Sequence, residues 1–367
     1  MRITAAIVEK HHAPFTIEEL ELDEPQAGEV LVRIVATGIC HTDGVAREGD
    51  LPFPFPGVLG HEGAGVVEAV GKGVTSVREG DHVVIAWPWC GECRNCLDGE
   101  RSMCLSIGPL AFGGGRGDGS TALRRPDGSP IHSHFFGQSS FASYAIASAR
   151  SAIVVPKDTP VHMLGPLACG LLTGAGAVLN VVKPKPGSSI VVYGVGTVGL
   201  AGVMAARCSG ATTIIAVDRH AGRLELAKEL GAMEVVNAAE TDPVQAVLEI
   251  CGGPADASLE CTGSIAVVRQ AADSVGMRGI CVLIGAAPAN AKFTLDHLTT
   301  LWGKTIRGTL GGDGRADLMI PALIELNREG RFPFERLITR FPLDQVNEAM
   351  EASHSGDVLK PVLEMPH

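Results

Sequence analysis

Cys90, Cys93, Cys96 and Cys104 lie in one stretch, CGECRNCLDGERSMC, with gaps of two, two and seven residues. That spacing follows no helix period and lets four thiols converge on a point. Four thiolates enclose a tetrahedral Zn²⁺ completely, so the ion would hold a loop and leave no open position. An iron–sulfur cluster also takes four cysteines, but nothing else in the chain suggests a redox partner for one. A second set is spread more widely: Cys40 in GICHTD, His61 in GHEGAGVVEAVG and Cys169 in LACGLLTG. Two thiolates and an imidazole are the ligand set of a catalytic zinc, with the fourth position left for water or substrate. A histidine by itself is more often an ordinary hydrogen-bonded side chain, and the two cysteines shift that balance. Spacing alone does not bring the three together.

A third pattern concerns a dinucleotide. Gly194, Gly196 and Gly199 form G-x-G-x-x-G within SSIVVYGVGTVGLAGVMAA. With 46 glycines in the chain the pattern would be weak, but an apolar strand precedes it and a helix follows. Gly194 makes the tight turn, Gly196 lets the pyrophosphate approach, and Gly199 permits close helix–strand packing. The helix N-terminus adds free N–H groups for the phosphates. Asp218 ends the next strand, TIIAVD, where a carboxylate accepts from the ribose hydroxyls and repels a 2′-phosphate. NAD is therefore expected over NADP, although Arg219 and Arg223 lie close by.

These residues need two kinds of support. Up to about residue 160 the chain reads as short β segments punctuated by Gly and Pro, such as EVLVRIVATGIC and DHVVIAW, which suit a β-rich lobe. The stretch 111–130, AFGGGRGDGSTALRRPDGSP, reads as a surface excursion without chemistry. From about Leu164 strands and helices alternate, which predicts a parallel sheet with crossover helices. A helical run, LMIPALIELNREG, and a strand-like SGDVLKPVL close the chain, and no internal repeat is found. GICHTD is expected at a strand end, where successive side chains point to opposite sides.

The chain has 367 residues, a hydrophobic fraction of 46% and a net charge of −11, which suits two cores. No basic cluster marks a nucleic-acid or membrane partner. The N-terminal MRITAAIVEKHHAPF lacks a leader pattern and no run approaches a membrane span, so a cytoplasmic protein is expected. Ten cysteines then read as thiols rather than disulfides. Cys208, Cys251, Cys261 and Cys281 are expected to be buried, Cys261 also near the cofactor.

A closed sulfur site, a His/Cys/Cys set and a glycine-rich nucleotide half together resemble the zinc-dependent medium-chain alcohol dehydrogenases. The resemblance runs from IVEKHHAPF to SGDVLKPVL and rests on GHE-x2-G-x5-G, the four-cysteine loop, GVGTVG and SGDVLK. The 111–130 stretch and HFFGQSSFASYAI look most like the aryl-alcohol and terpene-alcohol branch. The resemblance implies an α/β protein: a GroES-like β-rich catalytic domain over 1–161, completed by 308–367, and a doubly wound Rossmann NAD-binding domain over 162–307. It implies two zinc ions per chain, with Cys40, His61 and Cys169 on the catalytic one and Glu62 behind it, able to enter its shell. Asp43 would orient His61, and Thr42 would bond the substrate oxygen and start a proton relay. His41 and Lys360 match pyrophosphate positions, Thr173 and Val198 the nicotinamide, and Arg223, beside Arg219, the adenosine ribose. Thr197, Cys261, Thr262, Gly285 and Ala286 match further cofactor contacts.

The implied reaction is reversible oxidation of a primary aromatic or allylic alcohol, with zinc as Lewis acid and hydride transfer to NAD⁺. Aliphatic or secondary alcohols, or a class III-like enzyme without glutathione dependence, are the alternatives. Relatives that use glutathione adducts carry an Arg shortly after the fourth loop cysteine, whereas this chain reads Cys104-Leu-Ser-Ile-Gly. The usual relay histidine is replaced by Val45. Phe53, Phe55, Trp87 and Trp89 are candidates for an aromatic-accepting pocket. A zinc-free quinone reductase or a non-catalytic relative would have lost the ligand set, which is present. A homo-oligomer, dimer or tetramer, is expected.

Overall fold

Residues 1–366 are described by a computed structural model. Glu29–Gly38, rich in β-branched side chains, is a central strand of a seven-stranded sheet. It pairs antiparallel with Glu62–Val70, with Lys360–Glu364 and with Tyr144–Ser148. Glu62–Val70 pairs in turn with His82–Ile85. A five-stranded sheet built on Arg2–Val8 and Phe15–Leu22 completes the β-rich body. The apolar faces meet in one core that includes Ile7, Leu20, Ile34, Phe53, Phe135 and Phe141.

The second body is a six-stranded parallel sheet with helices between its strands, as the alternating sequence predicts. In space the strands run Glu234–Asn237, Thr213–Asp218, Ser189–Tyr193, Ala255–Glu260, Val275–Leu283, Thr305–Gly308. Numbered along the chain this is 3-2-1-4-5-6, the doubly wound order, which changes direction beside the glycine-rich turn. Its core includes Val191, Tyr193, Ile215, Val217 and Val275.

The chain divides into one unit of Met1–Cys169, Arg315–Pro321 and Glu335–His367, and another of Gly170–Gly314 and Ala322–Phe334. The cut thus falls at Cys169/Gly170 rather than 161/162, because the turn Gly165–Ala168 packs on the first unit: a Cβ on Gly165 would lie 2.0 Å from the Glu62 carbonyl. Within the expected 308–367 portion, residues 308–314 and Ala322–Phe334 belong to the second unit.

Three other expectations change. GICHTD does begin at a strand end, Gly38, but the strand geometry stops there: Cys40 is the N-cap of the helix His41–Glu48, so the residues after it occupy a first helical turn. The 111–130 stretch is no free excursion. Arg116 is buried, with Nε donating to Glu29 at 2.9 Å and Nη1 to Asp23 at 3.2 Å. It also holds a short repeat, RGDGS and RPDGS, in which Asp118 and Asp127 each accept from the backbone N–H and hydroxyl of the serine two residues on. Of the four extra cysteines only Cys281 is fully buried; Cys208, Cys251 and Cys261 are half-buried.

Candidate metal and nucleotide sites

Cys40, His61, Glu62 and Cys169 converge with their ligand atoms within 4.8 Å of one another. The two Sγ atoms are 3.9 Å apart. Asp43 organises the approach. Its Oδ1 accepts from His61 Nδ1 at 3.0 Å and from Gly60 N at 3.2 Å, and its Oδ2 from Cys40 N at 2.9 Å. One buried carboxylate therefore joins the helix that starts at Cys40 to the strand that carries His61. With Nδ1 so engaged, Nε2 is the free nitrogen, and it is buried without a hydrogen-bond partner. An orphaned imidazole nitrogen facing two close sulfurs fits a zinc ion, which favours this donor set.

The electrostatics agree. The hydrogen bond from Cys169, first, and then His61 hold Cys40 well below the usual thiol range. That bond, together with burial, pushes Cys169 well above it. Burial opposes the imidazolium of His61, yet the Asp43 carboxylate lifts its pKa well above the ordinary value. Such a crowded acidic and basic set is what a bound dication resolves.

Lys360 has protein partners that the sequence did not suggest. It is buried, and its Nζ donates to the Ile39 carbonyl at 2.8 Å and to the two Glu62 oxygens at 2.9 and 3.1 Å. The ammonium thus pairs with the carboxylate beside the Cys40/His61/Cys169 cluster. Burial raises the Glu62 pKa, against the pull of Lys360. Gly38 makes the room, since a Cβ there would lie 1.9 Å from Glu62 Oε2. Thr42 Oγ1 stands 3.6 Å from Cys40 Sγ, Val45 lies on the same helix, and His41 is exposed.

Aromatic rings cover the imidazole. Phe136 stacks on His61 with centroids 4.6 Å apart and planes 26° from parallel, and Phe135 meets it edge-on at 5.7 Å. Phe112 stands edge-on to Phe136, and Phe53 to Phe135 and Phe55. Of the four aromatics singled out in the sequence, Phe53 and Phe55 belong to this cluster. Trp89 does not: its ring lies between Arg101, 4.1 Å away, and Arg150, 5.6 Å away. Sequence reasoning missed Phe135 and Phe136, whose only signal was the HFFGQSSF motif.

Cys90, Cys93, Cys96 and Cys104 form the second four-ligand cluster. Cys104 Sγ accepts from Cys90 N at 3.3 Å, Cys90 Sγ from Cys93 N at 3.4 Å and Cys93 Sγ from Leu105 N at 3.5 Å. Backbone donors lower Cys90 to about 6 and also lower Cys93, whereas burial raises Cys96 to about 12 and lifts Cys104 above the usual thiol range.

In the parallel-sheet body Gly194 has φ +84° and a Cβ there would strike Thr262 at 2.5 Å. A Cβ on Gly199 would lie 2.0 Å from the Gly194 carbonyl, whereas one on Gly196 would meet nothing within 4 Å. Helix and strand are thus in contact at Gly199, and Gly196 borders open space of the kind a pyrophosphate needs. Beside this turn the backbone at Gly263 packs on Ala286 and that at Gly285 on Thr262 and Gly263: a Cβ on Gly263 would lie 2.2 Å from the Ala286 carbonyl oxygen and one on Gly285 2.1 Å from Gly263 N. Gly174 likewise packs the helix Gly170–Gly176, which carries Thr173, against Val198 and the helix that begins at Thr197. Asp218 Oδ1 accepts from Arg219 N, His220 N and His220 Nδ1, and Oδ2 from Val195 N. Burial works against ionisation, but the bonds from His220 and Val195, with Arg223 nearby, hold Asp218 below the usual carboxylate range.

A GroES-like body bearing two sulfur-rich clusters that could each hold a metal ion, with a doubly wound parallel-sheet body, defines the zinc-binding alcohol dehydrogenases, and the chain belongs to that family. The family models agree: an alcohol dehydrogenase GroES-like domain matches residues 26–157 and a zinc-binding dehydrogenase domain residues 197–327. The chain is 42% identical to geraniol dehydrogenase of Castellaniella defragrans, over 98% of this chain and 96% of that one. Among solved structures, an alcohol dehydrogenase zinc-binding domain protein from Burkholderia ambifaria matches at 50% identity and TM-score 0.99, covering all of both chains. Benzyl alcohol dehydrogenase from Acinetobacter calcoaceticus matches at 41% and 0.97, again over the full length of both.

Proposed function

We propose that this zinc-family alcohol dehydrogenase is NAD-dependent and oxidises primary aromatic or allylic alcohols to aldehydes, reversibly. The observation that carries the substrate class is the Phe136 ring stacked on the metal-facing histidine, within a cluster of five phenylalanines. A flat, electron-rich substrate packs well against such rings. The similarity to dehydrogenases named for benzyl alcohol and for geraniol, an allylic alcohol, supports this reading.

When bound, the zinc supplies a Lewis acid at the alcohol oxygen, and NAD⁺ supplies the hydride acceptor. The chain's own residues do the rest. Asp43 fixes the tautomer and direction of His61, leaving Nε2 for the metal. The phenylalanines exclude water from one side of the centre. Thr42 Oγ1 would accept the alcohol proton while giving its own to a ribose hydroxyl of the bound nucleotide, from which the proton reaches water, since Val45 offers no titratable group to receive it. Asp218 retains a lone pair on Oδ2 for a ribose hydroxyl, and its negative charge disfavours a 2′-phosphate.

A panel of benzyl, allylic, aliphatic and secondary alcohols, followed by nucleotide reduction with NAD⁺ and NADP⁺, tests the reading. The highest kcat/KM is expected with an aryl or allylic primary alcohol and NAD⁺; preference for a secondary alcohol or for NADP⁺ would overturn it. Metal analysis should give two zinc ions per chain, and Cys40→Ser should leave one, abolish turnover and retain NAD binding.

The protein is also expected to be an oligomer of identical chains. Met277, Leu298, Leu301, Trp302 and Leu310, each more than half exposed, lie near the edge strand Thr305–Gly308 of the parallel sheet. An apolar, unpaired edge suits a second copy of the same chain. Light scattering should give at least a dimer, and Trp302→Glu should shift it toward monomer.

A further inference from the structure

Glu62–Val70 is paired on one side all the way to Glu62, which stands opposite Gly38. On its other side the pairing with His82–Ile85 stops at Ala64–Val84. The stretch that carries His61 thus runs beyond its second neighbour. At that point the side chain of Gln138 takes over. Its Oε1 accepts from Gly63 N at 3.0 Å, and its Nε2 donates to the His61 carbonyl at 2.9 Å and the Ile85 carbonyl at 3.0 Å. A carboxamide offers an acceptor and two donors, like the peptide groups of a paired strand, and here all three are used. Gln138 is buried, so no solvent competes for these bonds.

The surroundings are shaped to admit it. A Cβ on Gly63 would lie 2.7 Å from Ser140 Cβ and 2.9 Å from Gln138 Oε1, and a Cβ on Gly60 would lie 2.4 Å from the Phe141 ring. Both glycines flanking His61 and Glu62 are the room that residues 138–141 occupy. The segment itself is strained: His134, Phe136 and Ser139 have φ of +63°, +47° and +57°, with Gly137 at +71° between them. Non-glycine residues hold that conformation only when their surroundings over-determine it. Ser139 Oγ accepts from Phe135 N and donates to the Val58 carbonyl, Ser140 N donates to Gly60, and Phe141 N to Leu59. The same turn sets Phe136 on the His61 ring.

We propose that Gln138 is a positioning residue of the Cys40/His61/Cys169 centre: its amide stands in for a missing strand and fixes the main chain that carries His61. With Asp43 on Nδ1 and Phe136 on the ring face, the ligand is then held from three directions. The inference rests on the reading of that centre as a zinc site.

The test follows zinc release to a colorimetric chelator from the two-zinc protein and from Gln138→Met, Gln138→Glu and, as a control, Ser258→Ala, which removes a buried hydroxyl's bond to the Ala271 carbonyl in the other unit. Gln138→Met keeps the length and loses all three bonds. Its zinc at the Cys40 set is expected to bind about 10–100-fold more weakly, the usual effect of removing an outer-shell partner, while the four-cysteine zinc stays put. Gln138→Glu, which keeps the bond to Gly63 N, should fall between, and Ser258→Ala should release zinc like the parent. With cobalt at the Cys40 set, Gln138→Met should shift the visible absorption bands. Release from both metal sets at parental rates, or equal acceleration at both, overturns the proposal, as does an equal effect of Ser258→Ala. If neither Gln138 variant folds, hydrogen exchange in the parent decides: a Gly63 amide exchanging as fast as an unpaired one overturns it, and a protected one supports it. A parent chain holding one zinc instead defeats the reading of the centre, a result distinct from the failure of Gln138.

Discussion

Asp43 is the residue on which most of the site depends, since one carboxylate bonds the ligand imidazole, the amide before it and the amide of Cys40. Asp43→Asn keeps the shape but offers an amide where an acceptor is needed. We expect about 10–100-fold weaker zinc binding at the Cys40 set, read by metal analysis after dialysis against a chelator; unchanged zinc would refute the role. Two positions away, Val45 leaves the proton from Thr42 without an obvious base. Val45→His should alter the pH dependence of kcat, and an identical profile would mean that the proton leaves elsewhere. The two clusters, Cys90/Cys93/Cys96/Cys104 and Cys40/His61/Glu62/Cys169, were legible in the sequence because cysteine and histidine are chemically distinctive and occur in recognisable motifs. Gln138 and Lys360 were not, because their partners lie 77 and 298 residues away, and an ordinary Gln or Lys carries no mark of burial.

At the level of elements, the glycine-rich turn separates packing from binding. A methyl at Gly199 collides with the Gly194 carbonyl, so Gly199→Ala is expected to destabilise the protein by about 1–3 kcal/mol, as overpacking does. A methyl at Gly196 meets nothing, so Gly196→Ala should keep stability within about 0.5 kcal/mol and weaken nucleotide binding. Thermal melts and NAD titrations of the two variants distinguish them, and similar effects on both measurements would refute the division. The parallel sheet could be read beforehand because its strands are continuous apolar runs separated by helices. The 111–130 stretch misled for an opposite reason: its glycines and charges look like solvent-facing loop, and only the fold brings Glu29 and Asp23 to Arg116.

Across the whole molecule, stability carries a pH signature from one histidine. His134 is buried beside Glu29, its Nδ1 bonded to Ser133 and its Nε2 unpartnered. Burial pushes its pKa down to about 4, against the pull of Glu29. Above pH about 6.5 the ring is neutral in both folded and unfolded chains. As pH falls from there to about 4 the unfolded chain takes a proton that the folded one refuses, so stability drops by about 3 kcal/mol. His134→Asn, which tolerates the positive φ, should flatten that limb in denaturant titrations; an unchanged slope would assign it to other groups.

Trp89 gives the four-cysteine loop an optical signal of its own. Its indole is clasped by two guanidinium groups; Arg150 also bonds the Cys90 carbonyl and Arg101 pairs with Asp317. Unfastening that loop would part the ring from its cationic neighbours and change its fluorescence, whereas Trp302, already half exposed in the other unit, would emit as before. With Trp87, the third tryptophan of the chain, replaced by Phe, intrinsic emission can therefore follow this corner of the protein without any added dye.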